Sequence, residues 1–440
     1  MSAAPPVPSS IAPPVEGLWA GRARRWAKIL SAYFTAQVLT QLLGIAAGLL
    51  FVNLMPLREF GLYTLAFSVV TFFSFLSDLG STGSLLHFFH RAGREGSAFE
   101  PYFAAVLSLR RVAFLLGAVA VAIAFPLAAA AKGFGWGEIA LVTAGILGCV
   151  WFQIQSSIRI LALRLHGRYT QSYRAEVGGT LLRLLVAGVM VITGHLGAWL
   201  GVAASAAGSG LSTVIARPGR PAAAPAGGLR PYRRQILRYL LPTLPSALYF
   251  SVQGPLVVWL SATFGSTRTL AEVGALGRLA LIVGLFSGLT GVVFLPRLAA
   301  ITGDELYRVR CLQYGLALVF VLAGLLAAAA LVPRLFLMLV GPHYRGLHRE
   351  LLLMVAGSGL SVLGSYVNTV NLARGWSRFQ GVGVMVEVAA QILFVKILPL
   401  STTAGVLRLT LLSAVTALLC HCVILTLGFK RPEWVHWRDA

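Results

Sequence analysis

The chain has 440 residues, 57% of them hydrophobic and 11% charged, with a mean hydropathy of +0.81. A soluble protein of this size carries about 25% charged residues, so a soluble enzyme is excluded before any motif is read. The net charge of +22 would point to nucleic acid in a soluble domain, but no basic block sits in a soluble domain here. Nucleic-acid binding is set aside, and the basic residues are read as loop charges that fix membrane topology and meet anionic lipid.

In chain order, residues 1–28 are rich in Pro, Ala and Ser and then basic. They read as a disordered, then cytoplasmic, N-terminus without the order of a signal peptide. Twelve apolar runs follow, near 29–55, 62–87, 102–130, 138–163, 176–193, 196–216, 236–261, 271–296, 312–332, 349–372, 379–398 and 402–428. Each suits a helix crossing a hydrocarbon core of about 30 Å. The expected fold is an all-α integral membrane protein of two six-helix bundles. They are an N-lobe over 29–216, a Pro/Gly/Ala/Arg cytoplasmic linker over 217–235, a C-lobe over 236–428 and a cytoplasmic tail over 429–440.

Lys and Arg number 26 in one set of alternate loops and 7 in the other, which places both termini in the cytoplasm. Arg334, Arg345 and Arg349, between runs nine and ten, fit this least well. Cys149, Cys311, Cys420 and Cys422 show neither CxxC nor metal-ligand spacing and are read as small core residues.

The halves echo each other. Glu59-x-Gly61 and Glu272-x-Gly274 each open the second run of a half, and Arg110/Arg111 and Arg308/Arg310 each open the third. HGRYTQSY (166–173) is answered by RGWSRFQG (374–381). Six runs per half give both halves one orientation, a parallel repeat that places a substrate site between two bundles.

An ionisable group deep in a bilayer is costly and usually faces a cavity or a partner. Arg183, Arg278 and Arg408 lie within runs five, eight and twelve, Glu387 lies mid-way along run eleven, Asp78 is near the end of run two, and Glu176 opens run five. Arginine suits phosphate or acidic sugar because its planar fork binds oxygens in pairs and keeps its charge; a salt bridge or snorkelling is the plain alternative. Arg159 is read as snorkelling. Glu387 could cycle a proton or sodium ion, but neutralising a buried arginine is the favoured reading, and Asp78 is expected to make a structural contact.

Thr71, Ser74, Asp78 and Ser81 share one helix face, as do Ser358, Ser361, Ser365 and Asn368, and Gln37, Gln41, Gly44 and Gly48. Such polar stripes serve packing or meet hydroxyl-rich ligands, and Gly44-x-x-x-Gly48 permits close helix packing. Run seven contains Pro242, Pro245 and Pro255; the bend expected there is at Gly254-Pro255, as a gate or a static kink.

LREFGLYTLAFSVVTFFSFLSDLG (57–80) and PRLFLMLVGPHYRGLHRELLLM (333–354) resemble stretches of the Wzx-type polysaccharide flippases. These belong to the multidrug/oligosaccharidyl-lipid/polysaccharide (MOP) exporter superfamily, which includes the MATE drug exporters. The resemblance spans about residues 22–430 in helix number, loop lengths and repeat. It implies alternating access of two six-helix lobes around a cationic cavity, and transport of an undecaprenyl-diphosphate-linked oligosaccharide across the bacterial inner membrane for O-antigen, capsule or exopolysaccharide synthesis. It further implies no covalent chemistry, no cofactor beyond proton or sodium coupling, and a polysaccharide polymerase and chain-length regulator as downstream partners. On this reading Arg183, Arg278 and, less directly, Arg408 attract the diphosphate, and Gln37, Gln41, Ser361, Ser365 and Asn368 meet the glycan.

A MATE-like cation or drug exporter is the first alternative; against it, run one contains no acidic residue. A membrane polymerase or glycosyltransferase is the second; against it, no large loop and no loop carboxylate pair is present.

Overall fold

The computed structural model describes residues 38–78, 99–194, 197–217, 228–241, 244–290, 303–374 and 379–431, with a few isolated positions between them. Every regular element among the described residues is helical. The first half holds α1 (Val38–Leu54), α2 (Leu57–Asp78), α3 (Glu100–Ala130), α4 (Trp136–Leu165), α5 (Tyr169–Ile192) and α6 (Ala198–Ile215). A short α7 (Arg230–Leu240) precedes α8 (Leu244–Phe264), α9 (Thr267–Leu289), α10 (Asp304–Leu331), α11 (Pro333–Val340), α12 (His348–Ala373), α13 (Gln380–Ile397) and α14 (Thr403–Lys430). Ten of these are long and apolar enough to cross a membrane. Helices α1 and α8 stand where runs one and seven were expected. Exposed Leu116, Ile192, Phe320 and Met385 give the molecule an apolar outer face, the inverse of a soluble protein's.

Three differences from the sequence reading have plain causes. Helix α2 starts at Leu57 and α10 at Asp304, ahead of their apolar runs, because charged first turns project beyond the hydrocarbon where hydropathy cannot register them. Helix α3, with 31 residues, is roughly 46 Å long and overreaches a core of about 30 Å. Helix α7 occupies the end of the expected linker and the start of run seven. Its arginines Arg230, Arg234 and Arg238 oppose buried Ile236 and Leu240, the pattern of a helix lying on a surface, while Arg233, on the packed side, donates to Ser108 Oγ at 2.8 Å.

Neighbour relations repeat between the halves. Helix α6 packs on α4 and α5, and α4 packs on α2 and α3; likewise α14 packs on α12 and α13, and α12 on α9 and α10. The two Glu-x-Gly motifs explain part of this. Glu59 Oε2 accepts the Ala198 N–H at 2.8 Å, at the start of α6. Glu272 Oε2 accepts from Thr403 Oγ1 at 2.6 Å, at the start of α14. A carboxylate at a helix N-terminus meets unsatisfied N–H groups and the positive end of the dipole, so each half fastens its sixth span to its second. The glycines serve the other direction. A Cβ on Gly61 would press on Thr267 of α9, and one on Gly274 would collide with Thr64 of α2. The second spans of the two halves therefore touch through each other's glycine.

This joint lies at one end of the bundle, called here the far end; α7 marks the other. One core at the far end draws on both halves, including Phe51, Tyr63, Leu276, Leu337 and Leu351. Links between the halves add to it: Lys132 Nζ donates to the Gly265 carbonyl at 2.6 Å, and Asn53 Nδ2 to the Leu339 carbonyl at 2.7 Å. Gly341, at φ +118°, brings its backbone against Asn53 where a side chain would collide. Beside it, burial and then the Glu272 charge push the Tyr344 hydroxyl up to about 12, so this phenol stays neutral in its packed site. At the α7 end the cores are separate: Phe88, Tyr102 and Ile158 of the first half together with Ile236 of α7, and Tyr307, Tyr366, Trp376 and Ile424 in the second half. The described residues are thus joined at the far end and independently packed at the α7 end.

Candidate functional site

Three polar cavities lie along the line where the halves face each other. The first, about 370 Å³, is in the first half, among α2 to α6. The second, about 430 Å³, is in the second half, among α8, α12, α13 and α14. A third, about 210 Å³, lies between the halves, walled by α2, α8 and α9.

The first cavity is cationic. Arg183 projects from α5 where Gly179 and Gly208 let α5 and α6 meet backbone to backbone, a Cβ on either being blocked by the other helix. Its Nη2 donates to the Tyr63 hydroxyl at 2.9 Å, and its guanidinium lies 5.3 Å from the Phe67 ring centre. Its Nε is buried without a hydrogen-bond partner. Arg278, from α9, enters from the other half. It lies 5.1 Å from the same Phe67 ring and 5.5 Å from Tyr63, and it lines the cavity between the halves. Gly48 of α1 leaves room for the Arg278 stem, its would-be Cβ lying 3.1 Å from Cδ. Among the described residues no carboxylate pairs with either arginine. Two intramembrane cations therefore share one aromatic pair, held by cation–π attraction of roughly 0.5–2 kcal/mol each and without a counter-charge.

Towards the α7 end the same cavity is lined by Thr71, Ser74 and Asp78 of α2, which fulfil the expected stripe, and by Gln153, Ser205, Ser209 and Ser212. Asp78 pairs with Arg110. Arg110 is buried and also donates to Ser81 at 2.7 Å, Ser157 at 2.9 Å and Thr82 at 2.9 Å. It had been counted as a loop charge, yet it lies ten residues inside α3 and lines the cavity. Buried Cys149 is also in the wall.

The second cavity has the opposite character. Glu387, buried, accepts from the Tyr249 hydroxyl at 2.6 Å, and Gln391, Gln253 and His421 stand around the same space. His421 Nδ1 is buried without a partner. Ser361, Ser365 and Asn368 line this cavity as one face. Ser365 meets Ser287 at 3.2 Å, and Asn368 Oδ1 accepts from Gln380 at 3.0 Å. Ser358 instead turns to Met354 Sδ at 3.6 Å.

Other expected residues go elsewhere. Glu387 has a tyrosine partner and not the buried arginine expected for it, because the arginines sit on α5 and α9 and the acid on α13. Glu176 is paired with Arg164 at 2.7 Å at the α7 end, separate from the arginine site. Arg408 is exposed on the second turn of α14 and lines none of the cavities described, since the helix turns that residue outward while Leu407 and Leu409 pack inward. Arg159 does not snorkel: its guanidinium donates to the Thr213 carbonyl and to Gln155, each at 2.9 Å. Gln41 is exposed on α1, Gly44 meets nothing within 4 Å, and Gln37 and Pro242 lie outside the described residues. Helix α8 is continuous through Gly254 and Pro255, and both residues line the cavity between the halves.

Sequence reasoning missed Tyr63, Phe67, Tyr249 and the α6 serines. The serines carried a signal, polar residues at spacings of three and four in an apolar run. The aromatics carried none, because an apolar helix is full of them.

Comparison with known proteins bears on this geometry. Residues 27–155 match the family model described as "Polysaccharide biosynthesis protein". No curated protein matches the chain in sequence. Among solved structures the chain is similar to a lipid II flippase, MurJ, in an inward closed conformation, at 12% identity over 90% of this chain and 87% of that one, with a TM-score of 0.69. It is also similar to a MATE family multidrug resistance transporter of the MOP superfamily. In the inward-facing conformation the identity is 16% over 91% of this chain and 96% of that one, with a TM-score of 0.58. In the outward-facing conformation it is 16% over 94% and 96%, with a TM-score of 0.54. These likenesses establish the fold: a multi-pass, all-helical membrane protein built like the MOP transporters, among neighbours that are transporters and flippases rather than enzymes.

Proposed function

We propose that the protein flips an undecaprenyl-diphosphate-linked oligosaccharide repeat unit across the bacterial inner membrane by alternating access, feeding O-antigen, capsule or exopolysaccharide synthesis. The observation that carries this reading is the pair Arg183 and Arg278, brought together from opposite halves around Tyr63 and Phe67 with no carboxylate partner among the described residues. A diphosphate is the ligand that such a pair lacks: two negative groups, each able to take a guanidinium fork.

In this reading the α7 end, with its arginines, faces the cytoplasm. The lipid-linked sugar enters from the inner leaflet, its diphosphate reaches the two arginines, and its hydroxyls meet the polar faces of α2, α6 and α12. Neutralising both cations removes the repulsion between the halves at this site. Closure there and opening at the far end follow only if the ligand binds the two states differently. Glu387, with Tyr249 and His421, is the proposed site of proton or sodium coupling, and a polymerase with a chain-length regulator consumes the product. Glu387 also favours one second reading, a MATE-like exporter that would take a cation at this acid.

The test is the leaflet distribution of lipid-linked repeat units in spheroplasts of a strain lacking the gene, complemented with wild type or the Arg183→Met/Arg278→Met double variant. Complete units trapped on the inner leaflet, not relieved by the double variant, are expected. Repeat units accumulating on the outer leaflet would indicate polymerisation instead. Unchanged pools with altered cationic-drug resistance would favour the exporter reading.

A further inference from the structure

Next to the cationic site lies an apolar groove of about 300 Å³ on the outer side of the molecule. Its floor is Gly117, Ala120 and Ala124 of α3, and its walls include Phe72 and Phe73 of α2 and Trp259 of α8. The floor spacing puts three small side chains on one helix face, and the Phe73 ring occupies the space that a Cβ on Gly117 would need. The groove follows α3 from Gly117 to Ala128, about 16 Å at 1.5 Å per residue, or roughly half the hydrocarbon thickness.

Its neighbour on the other side of α2 is the polar cavity that holds Arg278. Trp259 is the partition. Its ring meets Phe72 edge-on at 4.8 Å and lines the groove, while its Nε1 donates to Ser68 Oγ at 3.1 Å. Ser68 lines the polar cavity with Arg278. A cationic compartment and an apolar, lipid-open compartment thus share one wall. A ligand that matches both has an anionic head on a long hydrocarbon chain, and the diphosphate-linked polyprenol of the flippase reading is of that kind.

Resting on the flippase reading above, we propose that this groove seats a later stretch of the substrate's polyprenyl tail, led around α2 through the lipid, while its diphosphate occupies the arginine site. Hydrocarbon gains little by moving from lipid into an apolar groove. The groove therefore acts by position: it holds the tail beside the partition, so the head enters the cleft instead of staying in the headgroup layer. Its narrow floor and aromatic walls fit a branched chain seated lengthwise.

The experiment uses the full-length protein in nanodiscs, with a photoreactive benzophenone amino acid in place of Ala124 and undecaprenyl diphosphate as the probe in a phosphatidylglycerol-containing bilayer. Position 116 on the same helix, where Leu116 is 72% exposed and outside the groove, is the control. An undecaprenyl adduct at 124 and a phospholipid adduct at 116 is the expected result. Phospholipid adducts at 124 whose yield undecaprenyl diphosphate does not reduce would make the groove ordinary lipid annulus and overturn the proposal.

A second measurement fills the groove. Ala120 and Ala124 are exposed, so Ala120→Trp and Ala124→Trp leave the core intact. Each is expected to weaken undecaprenyl diphosphate binding roughly tenfold, below the ceiling for a tethered second contact, while leaving inorganic pyrophosphate binding unchanged. Unchanged undecaprenyl diphosphate binding in both variants overturns the groove alone. Failure of the unsubstituted protein to bind either probe overturns the flippase reading and the groove with it.

Discussion

Replacing Arg278 by Met should make the protein more stable and less able to bind a diphosphate. The two guanidinium carbons lie 5.3 and 5.1 Å from the Phe67 ring centre, so they are at most about 10 Å apart, where like charges at an effective dielectric of 20 repel by about 1.7 kcal/mol. Methionine removes that repulsion and an intramembrane charge that costs roughly 2.5–3.5 kcal/mol to insert. It loses cation–π contacts to Tyr63 and Phe67 of roughly 0.5–2 kcal/mol each, and it keeps an apolar stem beside Gly48. The balance favours the variant by roughly 0–4 kcal/mol. The same change deletes charged hydrogen bonds worth roughly 1.5–3 kcal/mol to a bound phosphate, a loss of about 10- to 150-fold in affinity. The assay is thermal unfolding of the purified protein with and without pyrophosphate or farnesyl diphosphate. Wild type should gain stability from the ligand, and Arg278→Met should start higher and gain little. Arg183→Met should behave alike, and the double variant should lose less than the sum because the two share their aromatic partners. A variant that is less stable without ligand, yet keeps the full ligand-induced gain, would refute the idea of an uncompensated cation pair held for an anion.

Asp78→Asn should destabilise more than Arg110→Met: the arginine side chain is 4% exposed and the aspartate 31%. Stranding the buried partner costs roughly 3–5 kcal/mol, and unfolding temperatures in detergent would rank the two. Glu59→Ala and Glu272→Ala should each lower stability by about 0.5–2 kcal/mol, and by similar amounts, because each strips the start of the sixth span in its half; a large inequality would argue against equivalent clamps. Gly48→Leu should displace the Arg278 stem and weaken diphosphate binding without touching the ligand, as read by the same thermal assay. Glu387→Gln should remove the response of transport to an imposed proton or sodium gradient while leaving pyrophosphate binding intact; a retained response would move coupling away from the second cavity.

Most of the architecture was legible because lipid imposes it. Apolar runs of fixed length must be helices, and the Glu-x-Gly echo marked a repeat whose physical content is a clamp and a close crossing. Arg183 and Arg278 could be singled out by cost alone, since an unshielded cation in hydrocarbon needs a reason to be there. What was illegible depended on rotation about a helix axis. Arg408 differs from its neighbours Leu407 and Leu409 by one step of about 100°, which sequence cannot phase when both faces of a span are apolar. Arg110 was misplaced for another reason: its pairing with Arg111 made it read as a charge that opens the third run, although it stands eight residues after the expected start near 102 and ten after the start of α3 at Glu100. The α7 helix escaped notice because its arginines dominated the composition of the segment and hid its apolar face.

Charge is divided between the halves, and this bears on how the cycle runs. The first half presents Arg183 and the second half lends Arg278, while the acid Glu387 stays in a cavity of its own, tied to Tyr249. Were Glu387 to face the arginines, it would neutralise them and remove the reason to bind an anion. Keeping acid and bases in separate cavities leaves the arginine site dependent on its ligand. Among the described residues the polar links across the far end include a lysine and an asparagine, each on a backbone carbonyl, together worth roughly 2–4 kcal/mol, beside the apolar core that the two halves share there. A diphosphate engaging both arginines in the closing state gains roughly 3–6 kcal/mol on the same scale. On the flippase reading, ligand binding is thus of the right size to offset these two polar links, while the shared apolar core has to trade its contacts for others as the halves rock; the repulsion in the empty site, about 1.7 kcal/mol at about 10 Å, favours the reverse step.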